Sequence, residues 1–405
     1  MPHSPSRHPA LLVALLVSTL IITLYALINF GATLNPTAHT HDVPLIIVNA
    51  DHGTPDQHLG RDLLERLQHD PTLTRTAHLT VLPTRDAALD ALRRNHAWAA
   101  LVIPDHFTRD LTTLPTTGRP ARLEVLHNPA AGSAASSIAD HTLDAVVTNI
   151  TTALQTQVLT RVRRATPTVP TTLAATLAQP VRVSHTDAVT IGEHSGRGSS
   201  TFTLTFVAVL AGFMAANIIQ AILTDVLDTT AQGQKIRAVH ATLLKLTVGF
   251  ATSIVGATVI LLIARLFHLD HTAPWSALFG FVLLTEFLIL TLTLMFYVLL
   301  GARGVVAAVL FNIVLFTALN GANQPLQTLP RFLETLAFAL PFHAATDGAR
   351  ALLFLGGRLD AGLASALLSL STYLALALIV SLGVSALRDR REAPTPVIGS
   401  APISA

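Results

Sequence analysis

The sequence has 405 residues, of which 51% are hydrophobic and 12% are charged. The charged fraction is about half that of an average soluble protein, so the composition predicts an integral membrane protein. The formal net charge is only +2 and the basic residues form no block, which argues against nucleic acid as a partner. Cysteine is absent, which excludes disulfides, thiolate metal sites and thiol nucleophiles.

The first predicted element is an uncharged apolar run at residues 11–35. Its apolar core of about 20 residues is long enough to cross the hydrocarbon layer. A cleaved signal peptide is the alternative, but its apolar region would be shorter, about 7 to 15 residues. Because Arg7 precedes the run, we predict that residues 1–35 form a cytoplasmic N-terminus and an uncleaved first span.

Residues 36–200 have the composition of a soluble domain and contain no apolar run of spanning length. Short apolar segments alternate there with amphipathic ones, a pattern that indicates βαβ crossovers and a mainly parallel sheet. We expect an extracytoplasmic α/β domain inserted between two spans, followed by a Thr- and Pro-rich linker at 166–180. The predicted strands are 44–49, 78–82, 98–103, 122–126 and 181–184, and the predicted helices are near 57–69, 86–95 and 134–164.

The turn after the first of these strands, Asp51-His52-Gly53, raises the question of a nucleotide site. A dinucleotide fingerprint needs three glycines where this turn has one, and no GxxxxGK[ST] motif occurs in the sequence. We therefore predict no cofactor in this chain. The histidines lack metal-ligand spacing and no nucleophile elbow is present, so we predict neither a metal site nor an enzyme.

After residue 200 the sequence is again dominated by apolar residues, and the basic side chains are concentrated in the segments predicted to face the cytoplasm. We predict a polytopic α-helical membrane protein with six transmembrane helices and with both termini in the cytoplasm. Five of the helices form a domain at 201–388, and residues 389–405 form a cytoplasmic tail. The five predicted spans are 202–224, 243–267, 276–300, 304–322 and 362–386.

Glu286 lies in the middle of the span at 276–300, where a carboxylate costs about 3 kcal/mol on the insertion scale. It therefore needs a polar environment. One interpretation is a transport path that includes Glu286, Asn217 and Asn312. The alternative is a structural hydrogen bond to Asn217, Thr252, Ser253 or Asn312.

Two further segments are candidate functional sites. Residues 323–361 read as two short re-entrant helices forming an outer gate, in which Asp347 and Arg350 are spaced to pair; an interfacial anchor is the alternative. The cytoplasmic loop 225–242 is a candidate docking surface for a partner ATPase, and an ordinary solvated loop is the alternative. Its charged residues are Asp225, Asp228, Lys235 and Arg237.

Three segments occur in a fixed order around these spans: VPLIIVNADHG (43–53), HAWAALVIPDHFTRDL (96–111) and LPRFLETLAFALPFHAATDGARALLFLGG (329–357). With one span before the α/β domain and five after it, they resemble the ABC-2-type membrane permeases of the YhgE/Pip kind. The resemblance implies the permease subunit of an exporter in the cell membrane, a homodimer or heterodimer powered by ATP hydrolysis in a separate ATPase.

A lipophilic or amphipathic substrate suits such a permease, and membrane lipids are expected partners. The alternative is a scaffold or receptor that does not transport and that acts through its ectodomain.

Overall fold

The computed structural model describes residues 19, 22–23, 40–165, 179–230 and 237–392. The predicted first span lies outside the described residues, three isolated positions excepted, as does Lys235. Most of the predicted linker and the end of the predicted tail are outside them too.

The first unit of the chain is a five-stranded sheet with the strand order β2-β1-β3-β4-β5. β1 pairs in parallel with β2 and β3, and β4 pairs in parallel with β5, as the mainly parallel prediction requires. β3 and β4 are antiparallel, so the predicted crossover between them is wrong. Apolar alternation does not encode strand direction. The strands are β1 (Val43–Asn49), β2 (Ala77–Leu82), β3 (Ala99–Ile103), β4 (Ala121–His127) and β5 (Val181–Asp187).

Helices cover both faces of this sheet domain. On one face, Val43, Leu45 and Ile47 pack with apolar residues of α1, α4 and α5. On the other, Ile46 and Val48 pack against α3. Each central strand is therefore buried on both sides, as parallel strands usually are. The helices are α1 (Leu59–Gln68), α2 (Pro71–Thr76), α3 (Arg85–Arg93), α4 (Phe107–Thr117) and α5 (Ser133–Ala165).

The Asp51 turn after β1 holds two helices in place. The Asp51 carboxylate accepts hydrogen bonds from the backbone N–H of Gly60 (3.1 Å), the backbone N–H of Thr108 (3.0 Å) and the Thr108 hydroxyl (2.5 Å). Gly60 approaches so closely that an added Cβ would lie 2.5 Å from the Asp51 Cβ. The carboxylate thus fixes the first turns of α1 and α4, which gives this turn a structural role.

A second polar contact joins β4, β5 and α5. His127 Nδ1 lies 2.5 Å from Asp140 Oδ1, and His127 Nε2 lies 2.9 Å from His185 Nδ1. The hydrogen bond to Asp140 raises the pKa of His127 above its usual value, against the opposing effect of burial. Protonated His127 donates through both ring nitrogens, to Asp140 and to His185.

The rest of the chain is a helical bundle. Four segments are long and apolar enough to cross a membrane: Ser200–Leu227, Ala238–Leu266, Trp275–Leu319 and Leu363–Arg391. They correspond to α6 (Ser200–Thr230), α7 (Ala238–Leu266), a helical pair beginning with α8 (Trp275–Leu300), and α13 (Leu363–Glu392).

The segment Trp275–Leu319 is not one straight helix. Gly301 has φ +62° and ψ −142°, and the chain reverses there, so that Asn312 contacts Thr293 and Phe311 contacts Phe296. Gly304 has no room for a Cβ next to the Phe296 carbonyl. The returning arm consists of α9 (Gly304–Val309), a π-helical turn (Leu310–Leu315) and α10 (Phe316–Leu319). The predicted helix break at 301–304 is therefore confirmed.

The predicted pair of short helices is also confirmed, as α11 (Arg331–Ala339) and α12 (Pro341–Phe354). This segment carries the sheet domain. His41 Nε2 lies 2.9 Å from Glu334 Oε2, and Arg331 lies 3.5 Å from Asp42.

A second set of ion pairs involves Asp90 of α3 and Arg94, which directly follows that helix. Arg94 lies 3.4 Å from Asp360, and Arg358 lies 3.8 Å from Asp90. Ala130, between β4 and α5, belongs to the apolar core of the bundle. Apolar contact and ion pairs therefore join the two units.

We expect Asp51→Ala to lower the free energy of unfolding of the sheet domain by about 2 to 3 kcal/mol, because three donors lose their acceptor. Trp98 lies in the sheet domain and Trp275 in the bundle, so Trp98 fluorescence in a Trp275→Phe background reports on the sheet domain during denaturation. The matched control is Asp56→Ala, an exposed acid of the same turn. Equal midpoints for the two variants would contradict the structural role of Asp51.

The His127 contact predicts a pH-dependent stability of the sheet domain. Because the folded-state pKa is raised, the contribution is complete below the usual histidine value of about 6.5 and is lost as the pH rises through the folded-state pKa. Asp140→Asn should remove this loss as the pH rises above about 6.5, whereas Asp62→Asn on α1 should keep it. The measurement is the Trp98 denaturation midpoint as a function of pH, and a parallel profile for Asp140→Asn would refute the assignment.

Candidate functional site

The centre of the bundle is α8. It packs against α6, α7, α9, α12 and α13, and its residues from Leu288 to Leu294 are all buried. The buried hydroxyls of Thr285, Thr291 and Thr293 donate to backbone carbonyls one turn earlier on the same helix. The hydroxyl groups of these threonines are therefore hydrogen-bonded within the helix, unlike the carboxyl group in its middle.

Glu286 is 1% exposed, and two glycines allow the neighbouring helices to approach it. An added Cβ at Gly256 of α7 would overlap the Glu286 carboxyl group. One at Gly212 of α6 would overlap the backbone carbonyl oxygen of Glu286. The acid thus lies where α6, α7 and α8 meet.

The carboxyl group has an unpartnered atom: Glu286 Oε2 has no hydrogen-bond partner among the described residues. Ser253 is completely buried, and its Oγ is also without a partner. It precedes Gly256 by three residues, so it lies on the same side of α7. Thr252 donates to the Val248 carbonyl instead. The alternative interpretation, a structural hydrogen bond to Glu286, is therefore not found with Thr252 or Ser253.

Asn217 of α6 and Asn312 of the returning arm contact α8 at positions away from Glu286. Asn217 accepts a hydrogen bond from the Tyr297 hydroxyl at 2.6 Å, eleven residues along α8 from Glu286, or roughly 16 Å. Asn312 donates to the Thr293 hydroxyl at 3.0 Å, roughly 10 Å from Glu286 along the helix axis. The predicted trio is thus spread along α8 and does not form one cluster.

Asn312 has an environment of its own. It is fully buried in the π-helical turn at Leu310–Leu315, and its Oδ1 has no partner among the described residues. A π-helical turn is rare and frequently marks a functional position. Sequence patterns did not predict this turn, because no Gly or Pro interrupts the segment LFNIVL that contains Asn312.

The predicted Asp347–Arg350 pair is present, with Arg350 Nη1 2.5 Å from Asp347 Oδ1. The Arg350 side chain is 6% exposed and that of Asp347 40%, so the pair reaches from the interior to the surface. The ring of Phe281 on α8 packs against α12 at Gly348. Helix α12 is therefore a packed part of the bundle. Its role as an outer gate stays a prediction.

The predicted docking residues lie at the end of the bundle opposite the sheet domain. They do not all belong to one loop. Asp225 and Asp228 lie within α6, which continues to Thr230, and Lys235 is outside the described residues. Arg237 is exposed immediately before α7. The expectation that both acids belong to the loop is wrong because α6 extends about two turns past its apolar segment.

Sequence reasoning missed the residue that organises this end. Asp389 of α13 accepts hydrogen bonds from the backbone N–H groups of Ala238 (2.6 Å) and Val239 (3.1 Å), and so caps α7. The neighbouring Arg388 donates to the Val298 carbonyl of α8 at 2.5 Å. A cap supplied by a residue 150 positions away has no local sequence signature, although an acid suits a helix N-terminus.

The described residues contain no group of three or more His, Asp or Glu side chains that could hold a metal ion. The chemistry open to the bundle is that of a buried acid. A carboxylate without a partner is costly in a membrane interior, so Glu286 is suited to exchange a proton or to meet a polar group that enters the bundle.

Comparison with known proteins gives a family match. The protein-family model described as "ABC-2 family transporter protein" matches residues 9–387. No curated protein matches. Among solved structures, a domain of a "putative ABC type-2 transporter" from Thermotoga maritima MSB8 matches at 18% identity, with a TM-score of 0.26, over 36% of this chain and 84% of that chain.

The close contacts around Glu286 predict a graded response to glycine substitution. Gly212→Ala should lower stability by about 1 to 3 kcal/mol, because its Cβ meets backbone that cannot move away. Gly256→Ala should cost less, because its Cβ meets the end of a flexible side chain, and the cost should shrink further in a Glu286→Ala background. Gly280→Ala is the control, since nothing lies within 4 Å of its Cβ.

The measurement is thermal unfolding of the detergent-purified chain, followed through Trp275 in a Trp98→Phe background. An equal cost for Gly256→Ala with and without the Glu286 carboxyl group would contradict the close contact.

Proposed function

The chain belongs to the ABC-2 transporter family, and we propose that it is the membrane-spanning permease subunit of an export system of that type. The observation that carries this proposal is the family match over residues 9–387, which takes in every predicted span. A multi-pass membrane protein of this family normally works with an ABC ATPase. The sequence contains no Walker A motif, so in this proposal ATP is used by a separate subunit.

The proposed topology has six spans and both termini in the cytoplasm, with residues 36–200 outside. The reversal at Gly301 supports dividing the longest candidate span in two. The charges support the orientation, because every arginine of segment 323–361 has an acidic partner: Asp42 for Arg331, Asp347 for Arg350, and Asp360 for Arg358. Basic residues at that end are thereby neutralised, which reconciles them with the positive-inside rule.

We place the ATPase contact at the opposite end of the bundle. Arg237 is exposed there, and Asp389 joins α7 to α13 beside it. A partner that pushed on this end would act on two spans at once. Asp225 and Asp228 at the end of α6, together with Lys235, complete the proposed docking surface.

The transport path of this proposal passes the centre of the bundle. Glu286 and Asn312 each present a buried oxygen without a hydrogen-bond partner among the described residues. Asn217 of α6 contacts α8 further along, at Tyr297. The cargo class that suits a path through apolar helices is lipophilic or amphipathic, and its direction is outward. The Asp347–Arg350 pair, at the end that carries the sheet domain, is the proposed outer gate.

The finer family assignment and the assembly also belong to the proposal. The three motifs quoted above support the YhgE/Pip subtype. Exposed apolar side chains on α6, α7 and α13 are available to membrane lipid and to a second permease chain, which supports a homodimer or heterodimer. A scaffold acting only through its ectodomain is not favoured, because the family match covers the spans as well.

The test is copurification of the tagged full chain from native membranes in a mild detergent. We expect a P-loop ATPase to accompany it, identified by mass spectrometry. Arg237→Glu should reduce the recovered ATPase several-fold by reversing a charge on the proposed docking surface. The matched control is Arg119→Glu, an exposed arginine of the sheet domain, which should recover the wild-type amount.

If no ATPase accompanies the wild-type chain, the permease assignment fails. If one does, but both arginine variants retain it equally, the docking surface is misplaced while the permease assignment stands.

A further inference from the structure

A groove of about 380 Å³ runs between α6 and α7 at the end of the bundle that carries the sheet domain. Its lower part is apolar, lined by Leu204 and Val207 from α6 and by Ile260, Ile263 and Phe267 from α7 or its end. Both helices are candidate membrane spans. The groove therefore opens sideways at the level of the bilayer, toward one leaflet.

The upper part of the groove is polar. It is lined by His194, Ser199, Ser200 and Thr203 at the beginning of α6. The ring of His194 lies 5.9 Å from that of His268, just beyond α7, so two imidazoles meet at this rim. None of the described residues that line the groove is acidic.

One lining residue carries an unsatisfied group. Ser200 is 8% exposed, and its Oγ has no hydrogen-bond partner among the described residues. The hydroxyls around it are occupied: Ser199 donates to the Gly196 carbonyl and Thr201 to the Gly198 carbonyl. Ser200 also begins a helix of 31 residues, whose N-terminal N–H groups and dipole favour a negatively charged group.

We propose that this groove binds one acyl chain of a bilayer phospholipid and that the lipid phosphate lies at the N-terminus of α6, where the Ser200 hydroxyl donates to it. The volume is at the lower end of the range for ligand pockets, about 300 to 1,000 Å³, which suits a single chain. The polar rim and apolar base match the two ends of such a molecule. The described lining residues include no acid, and the His194 ring offers an N–H donor to a phosphate.

The polar end decides whether this site holds a lipid selectively. Within a bilayer, lipid tails are as apolar as leucine side chains, so an apolar groove gives little preference over bulk lipid. A hydrogen bond to a buried, otherwise unpartnered hydroxyl does give a preference. We therefore expect the affinity to depend more on Ser200 than on any single apolar residue.

The experiment uses the full chain in vesicles of phosphatidylethanolamine and phosphatidylglycerol containing a trace of phosphatidylglycerol with a diazirine in one acyl chain. After illumination, labelled peptides are mapped by mass spectrometry. We expect labels on residues 202–207 and 260–267. Ser200→Ala should reduce this labelling roughly two- to tenfold, the loss that one hydrogen bond predicts, whereas Ser200→Thr, which keeps a hydroxyl, should retain it.

A second pair of variants tests the groove itself. Val207→Trp fills it and should abolish the labelling, while Val255→Trp, on a lipid-exposed part of α7 outside the groove, should not. Unchanged labelling in Val207→Trp would overturn the proposal. So would a crosslink that places residues 11–35 or a second copy of the chain in the groove. Elution of each detergent-purified variant as a single monodisperse peak checks that it is folded, and none of these outcomes depends on an ATPase.

Discussion

The close approach of three helices around one buried acid governs the architecture of the bundle. Gly212 and Gly256 bring α6 and α7 against α8 where Glu286 lies, and neither has space for a side chain. With α13 on another side, α8 is enclosed along its middle. An apolar residue at 286 would satisfy the packing without cost, whereas a carboxyl group requires a proton or a polar partner. The packing alone therefore does not account for an acid at this position.

The sheet domain is held on the same part of the bundle that contains the Asp347–Arg350 pair. Its contacts are to α11 through His41 and Asp42 and to the start of α13 through α3. Exposed ion pairs of this kind contribute little stability individually, but they flank an apolar contact at Ala130. A movement of α11 or α12 would consequently have to move the sheet domain or break this contact. The two units are mechanically linked through a segment that is too short to span.

Sequence patterns predicted most elements because hydrophobic periodicity and turn residues are local signals. The four segments that are long and apolar enough to span, the reversal at Gly301 and the long helix α5 all follow from them. Three features did not follow. The antiparallel β3–β4 pairing depends on the path of a connection, and the Asp389 cap joins residues far apart in sequence. The π-helical turn lies in a segment without Gly or Pro. Glu286 was identifiable as a buried acid, but its closest neighbours are glycines, which no search for polar partners would find.

The groove and Glu286 both lie at the interface between α6 and α7. Val207 precedes Gly212 by five residues, and Ile260 follows Gly256 by four, so the apolar part of the groove ends about 6 to 8 Å from the glycines that contact the acid. The Ser253 hydroxyl, which has no hydrogen-bond partner among the described residues, lies on the same side of α7 as Gly256. A molecule that moved inward from the groove would meet these two polar groups next. The same glycines that allow tight packing around Glu286 thus also leave the acid next to helix backbone on two sides.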